Sequence, residues 1–166
     1  TFTVTDWDDI FKRKGYKFAI VNSLNYCIEN KGLIVYAWCL MSNHLHLVCQ
    51  AHEDFKLSNI IRDFKKFTAK SIVKLIGEIS ESRREWLLYR FEYAGKYDNR
   101  IKKYKFWQET NHAVLLDNKD MIDQRINYTH ENPVRALIVA ETHEYLFSSA
   151  RDYADEKGYV NVQTEI

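Results

Sequence analysis

Proline occurs once in the 166 residues, at Pro133, so only one forced interruption of regular structure is written into the chain. Cysteine occurs three times, as Cys27, Cys39 and Cys49, each in an apolar run. An odd number with no Cys-x-x-Cys pair argues against a disulfide framework and against a zinc ribbon. Reduced core thiols in a cytoplasmic protein are the expected state. No apolar run is long enough to span a bilayer, and no signal peptide is evident. Domain linkers, internal repeats and low-complexity segments are also lacking. The net charge of +1 does not single out a polyanionic partner for the chain as a whole.

What is present is apolar and aromatic. Hydrophobic residues make up 46% and aromatics 14%, enough for one globular domain over residues 1–166 with a real core. Eleven tyrosines and four tryptophans either fill that core or stack on bases. The chain opens on Thr1 rather than Met, and Thr1–Thr5 already alternates like a strand, so a preceding segment is expected to be missing.

The most informative stretch is Met41-Ser42-Asn43-His44-Leu45-His46-Leu47-Val48. Strand side chains alternate with period two, so His44 and His46 share one face and Leu45 and Leu47 the other. Two imidazoles side by side on a rigid element suit one divalent metal ion. Taken alone, His-x-His reads equally as two half-buried strand histidines. Leu33–Met41 is a nearly continuous apolar strand, and Ser42-Asn43 is a turn into a returning strand at His44–Gln50. A two-residue loop there pairs Cys39 with His46, so Ala37, Cys39 and Met41 share the histidine face.

Before this hairpin, Lys17–Glu29 has helical spacing and Lys31-Gly32 is its stop. After it, Leu57–Ile79 predicts a long helix whose polar face carries Arg62, Lys65, Lys66, Lys70 and Lys74. Such a stripe is either a solvated face or a rail for backbone phosphates. Ser80–Arg100 predicts a helix followed by a loop around Tyr93–Lys103. Tyr104–Gln108 and Ala113–Leu116 read as short strands. Asp117–Asn132 predicts a helix that ends at Pro133, where a second short helical turn begins.

Tyr128 and Asn132 lie four residues apart, on one helix face with Arg125. An amide oxygen is an acceptable third ligand beside two imidazoles, and two nitrogens with one oxygen and open positions suit Mg2+ or Mn2+. A tyrosine beside such an ion is a candidate nucleophile, although a free phenol with a pKa near 10 needs activation. On spacing alone, Tyr128 as a packing residue and Asn132 as a cap stand equally open.

These elements resemble a known family. Met41-Ser42-Asn43-His44-Leu45-His46 is similar to the M-(P/S)-N-H-hydrophobic-H element of single-tyrosine HUH transposases. Tyr128-Thr129-His130-Glu131-Asn132-Pro133-Val134-Arg135 resembles their Y-(I/T)-H-x-N-P-V-R element. Phe106-Trp107-Gln108 and Ser148-Ser149-Ala150-Arg151-Asp152-Tyr153 resemble stretches of the REP-associated tyrosine transposases. The resemblance implies an α+β fold: a ferredoxin-like antiparallel sheet with helices on one face and the tyrosine helix over the other. It implies a metal-dependent transposase that cleaves and rejoins single-stranded DNA through a 5′-phosphotyrosine link on Tyr128. His44, His46 and Asn132 would hold Mg2+ or Mn2+. Arg62, Lys65, Lys66 and Lys70, with Arg83, Arg84 and Arg135, are candidates to carry DNA phosphates, and Trp107 to stack on a base or pack in the core. The expected partner is single-stranded DNA with a hairpin, the expected location the nucleoid, and the expected state a monomer or homodimer. Two alternatives remain: a hairpin-binding regulator that no longer cuts, and a nuclease that uses activated water.

Overall fold

The computed structural model describes residues 1–165. Its regular elements are β1 (Phe2–Thr3), α1 (Lys14–Lys31), β2 (Leu33–Leu40), β3 (His44–Ala51), α2 (Leu57–Glu78), α3 (Arg84–Gly95) and α4 (Lys119–Arg135), with 3₁₀ turns at Thr5–Trp7, Thr142–Glu144 and Ser149–Ala154. The three strands form one antiparallel sheet in the order β1-β3-β2. The histidine strand is therefore central, with Cys39 opposite His46 and Leu40 opposite Leu45. Met41 closes the hairpin through its N–H to the His44 carbonyl.

The alternation in β3 sorts the two faces of the sheet. Leu45 enters the main core with Leu33 and Val35 of β2, Ile20 and Leu24 of α1, and Ile60, Phe64, Ile72 and Ile76 of α2. Val48, two residues on from His46, joins Tyr36 and Ala37 in a smaller cluster closed by Ile126 of α4. Helices α1 and α2 thus cover one face, as in a ferredoxin-like α+β fold, and α4 covers the other, as the family resemblance implies. Gly32 ends α1 in the left-handed region at φ 68°, its N–H bonded to the Cys27 carbonyl; a Cβ there would strike the Phe55 ring.

Several expected strands are shorter. Thr5 turns into the 3₁₀ segment, so β1 keeps only two residues. Tyr104–Gln108 runs beside β1 through one bridge, Val4 to Trp107, flanked by Thr5 N–H to the Phe106 carbonyl and Gln108 N–H to the Thr3 carbonyl. Ala113–Leu116 has no strand partner among the described residues; its Leu116 packs under α4 instead. Helix α3 runs two residues past Tyr93, to Gly95.

The helix expected to end before Pro133 continues through it to Arg135. Proline removes the N–H that would bond the Thr129 carbonyl. The Asn132 side chain takes over part of that work: its Nδ2 donates to the carbonyls of Tyr128 at 2.7 Å and Thr129 at 3.4 Å. At its start, α4 is capped by Asn118, whose side chain accepts the Met121 N–H at 2.9 Å.

The C-terminal segment covers the outer edge of β2 and clasps α4 to it. The buried Ser149 hydroxyl accepts the Trp38 N–H at 2.9 Å and donates to the Trp38 carbonyl at 3.2 Å. His130 of α4 meets the same oxygen through Nε2 at 2.7 Å. With the hydroxyl proton committed to the carbonyl, Nε2 is the donor. Tyr153 adds a bond from its hydroxyl to the Tyr36 carbonyl. Ser149→Ala should strip Trp38 N–H, Trp38 C=O and His130 of their shared partner and cost about 1–3 kcal/mol, read as a lower midpoint in urea denaturation.

Candidate active site

The sheet presents His44 and His46 on the face that α4 covers, with ring centroids 4.8 Å apart. Tyr128 projects from α4 onto the same spot, its ring edge-on to His46 at 5.6 Å. His46 is 8% exposed and Tyr128 38%, so the phenol stands at the mouth of the site and the imidazole at its floor. Asn132 follows one turn after Tyr128 on the same helix face, so it is carried to the same side of the sheet. The sequence-predicted set His44, His46, Tyr128 and Asn132 is therefore brought to one face by two elements, β3 and α4, that lie 68 positions apart in the chain, from Ala51 to Lys119.

Hydrogen bonding prepares the first imidazole. His44 Nδ1 lies 2.6 Å from Asn43 Oδ1, while Asn43 Nδ2 donates to the Trp7 carbonyl at 3.1 Å. The second bond fixes the amide's orientation, and an amide oxygen only accepts, so His44 Nδ1 carries the proton. Its Nε2 is left with a free lone pair. A partner on one ring nitrogen that orients the other is the usual support of a ligating histidine. The Asn43 amide thus acts as the positioning group for His44, a role its place in a turn had hidden in the sequence.

His46 Nδ1 is 3.0 Å from the Thr1 hydroxyl, and its buried Nε2 has no hydrogen-bond partner among the described residues. Burial, then the neighbouring His44, pushes the His46 pKa down to about 3; burial also lowers that of His44. Both rings are neutral at physiological pH, as ligands must be. No cluster of three or more His, Cys, Asp or Glu side chains exists among the described residues, so a cation held by the two histidines would take any third protein donor from another residue type. Asn132 qualifies: its Nδ2 is spent on helix carbonyls, which leaves Oδ1 to accept or ligate. An orphaned buried nitrogen, a lone pair on His44 and this oxygen fit a divalent cation.

Two cations flank the phenol. The guanidinium of Arg125 lies 5.6 Å from the Tyr128 ring centroid and that of Arg135 5.2 Å, three residues before and seven after it on α4. Arg135 also pairs with Glu131. Arg125 carries the same spacing signal that links Tyr128 to Asn132, and it belongs with the site as much as Arg135 does.

The remaining cations are dispersed. Arg62, Lys66 and Lys70 are exposed on α2, behind the sheet from the histidines. Lys65 turns inward, its ammonium donating to the Gln108 carbonyl and Asn111 Oδ1, both at 2.8 Å. Arg83 grips the Asp9 carbonyl and pairs with Glu81. Arg84 donates to the carbonyls of Ile76 and Ile79 at the end of α2. Trp107 is buried and donates its indole N–H to Thr68 at 2.9 Å, so it offers no face to a base and belongs to the core.

The family described as "Transposase IS200 like" matches residues 2–104, which include the histidine pair and stop short of Tyr128. A solved structure of a REP-associated tyrosine transposase bound to a REP hairpin is similar over 99% of this chain and 84% of that one, with a TM-score of 0.60 at 15% identity. At that identity the likeness is one of fold. No curated protein sequence matches.

Burial holds His130 at about 4, as it holds His46 at about 3, whereas both return to about 6.5 on unfolding. Between these values the unfolded chain binds more protons, so stability is complete above about pH 6.5 and is lost as pH falls toward 4. Urea denaturation of the metal-free protein should show a loss of about 1.4 kcal/mol per pH unit for each such histidine. A flat profile across that window would show that these rings protonate freely in the folded state.

Proposed function

Because the chain belongs to the IS200-like transposase family, we propose that it is a metal-dependent single-stranded DNA transposase that cuts and rejoins DNA through a 5′-phosphotyrosine on Tyr128. The observation that carries this reading is the convergence of Tyr128 with His44 and His46 at one spot, with Asn132 one helical turn after the phenol. A binding protein has no need of a phenol set against a pair of neutral imidazoles. The likeness to a hairpin-bound transposase supports single-stranded DNA with a hairpin as the substrate.

In this reading His44 Nε2, His46 Nε2 and Asn132 Oδ1 hold Mg2+ or Mn2+. Such an ion supplies charge neutralisation at the scissile phosphate and at the oxygens that attack and leave. The chain's own residues do the rest. Arg125 and Arg135, one on each side of Tyr128, attract and orient the phosphate. The Tyr128 oxygen attacks phosphorus and gives up its proton. The bond from phosphorus to the 3′-oxygen breaks, and that oxygen leaves as a 3′-hydroxyl after taking a proton. The bond energy is kept in the phosphotyrosine, so an incoming 3′-hydroxyl reverses the step and joins strands without a nucleotide cofactor.

Tyr128→Phe should abolish the covalent protein–DNA adduct on a labelled single-stranded hairpin with Mg2+ or Mn2+, while hairpin binding by gel shift is kept. An adduct that survives in this variant removes Tyr128 from the role; cleavage that persists without an adduct points to activated water. Tight hairpin binding by the wild type with no adduct at any metal concentration points to a regulator. Asn43→Ala should weaken Mn2+ binding about 10- to 100-fold by titration calorimetry, the usual effect of removing a group that orients a ligand.

A further inference from the structure

Helix α3 buries Leu87 and Phe91 in the core and carries a second, unburied aromatic face. Trp86, Tyr89 and Tyr93 follow one another at helical spacing, and Tyr97 extends the row past the end of the helix; they are 48%, 67%, 56% and 77% exposed. The Tyr89 and Tyr93 rings lie 26° from parallel with centroids 6.2 Å apart, and Tyr97 stands edge-on to Tyr93. The core needs none of these rings.

The row is tied to the active site. Arg90 lies 4.9 Å over the Trp86 ring and pairs with both Asp6 and Asp8. Between those aspartates sits Trp7, 58% exposed and edge-on to His44 at 6.1 Å. Asp6 and Trp7 both have left-handed backbones, at φ 54° and 58°, which is costly for residues with a Cβ. The Arg90 ion pairs and the Asn43 bond to the Trp7 carbonyl hold this turn in place. An exposed indole is thus held beside a ligand histidine at the expense of backbone strain.

The surroundings specify the occupant. Of the eight Lys or Arg in residues 83–105, five are held by carboxylates or carbonyls, and Lys96, Lys102 and Lys103 form no ion pair among the described residues. Glu85 and Glu92 are the carboxylates on α3 itself. Lys96 and Lys103 sit against the Tyr97 and Tyr104 rings, and neither forms an ion pair among the described residues. Stacking rings interleaved with cations suit a flexible polyanion whose bases are unpaired. We propose that Trp7 and the aromatic row of α3 form a stacking track for single-stranded DNA that leads away from the histidine pair, an inference that rests on the transposase reading above for the identity of the strand.

The test is fluorescence anisotropy of the full chain with a labelled oligothymidylate and with a duplex of equal length, run beside the adduct assay. Tyr89→Leu with Tyr93→Leu keeps apolar bulk and removes the rings; Tyr89→Phe with Tyr93→Phe keeps them. The leucine pair should bind the single strand at least about 5-fold more weakly for each ring lost, and the phenylalanine pair about as tightly as the wild type. In the wild type the single strand should quench tryptophan emission, since Trp7 and Trp86 are exposed while Trp38 and Trp107 are buried. That readout stands even where a variant fails to fold. Equal binding by wild type and leucine pair, a preference for duplex, or absence of quenching overturns the track. Where this happens while the adduct still forms, the chemistry on Tyr128 stands without it. Ring-dependent binding with no adduct leaves the track in place and removes the chemistry.

Discussion

A pleated strand with one face in an apolar core tolerates a single register, and β3 lives under that constraint. Leu45 is fully buried among α1 and α2, so its neighbours on either side are forced to the other face. A slip of one residue would drive both imidazoles into the core and Leu45 into the site. Burial of Leu45, Leu33 and Val35 therefore sets the direction of His44 and His46 more firmly than any contact the histidines make themselves. The same burial strips the rings of water and keeps them neutral, which turns a packing constraint into readiness for a cation.

The second partner of the site depends on how α4 crosses the sheet. Ile126 packs onto Tyr36, Ala37 and Val48, and His130 bonds to Ser149 at the edge of β2. These contacts lie two residues to either side of Tyr128, so the phenol is held between two anchored points of one helix. Pro133 and Asn132 then act as a pair. The proline leaves a carbonyl without its donor, the asparagine amide serves it, and the asparagine oxygen is left without a helix partner. A residue whose sequence position suggests a cap or a ligand is oriented by its role as a donor to the helix.

Charge and aromatic residues divide along similar lines. Cations that the sequence offers as DNA-phosphate candidates serve different ends in space: Lys65, Arg83 and Arg84 satisfy backbone carbonyls, while Arg135, with Arg125, flanks the phenol. Counting lysines and arginines along a helix face does not reveal this, because carbonyls that need donors at the end of α2 are defined only by the packing of other segments. Aromatics behave alike. Trp107 and Trp38 fill the core, whereas Trp7 and Trp86 do not, and nothing in their local sequence separates the two groups.

Much of the molecule was determined locally. The apolar run at Leu33–Met41, the alternation around His44 and His46, the Ser42-Asn43 turn and the Gly32 stop yield the hairpin, its register from the turn to Ala37 and the shared histidine face, because strand pleating and turn chemistry act over a few residues. The four-residue spacing of Tyr128 and Asn132 likewise follows from helix geometry. Tertiary structure alone decided which face α4 covers, that it runs through Pro133, that Asn43 fixes the His44 tautomer, and that strand-like runs at Tyr104–Gln108 and Ala113–Leu116 find one bridge or none. Each of those outcomes depends on a hydrogen-bond partner or an apolar surface supplied from elsewhere in the chain, and spacing along a sequence carries no information about which distant partner will arrive.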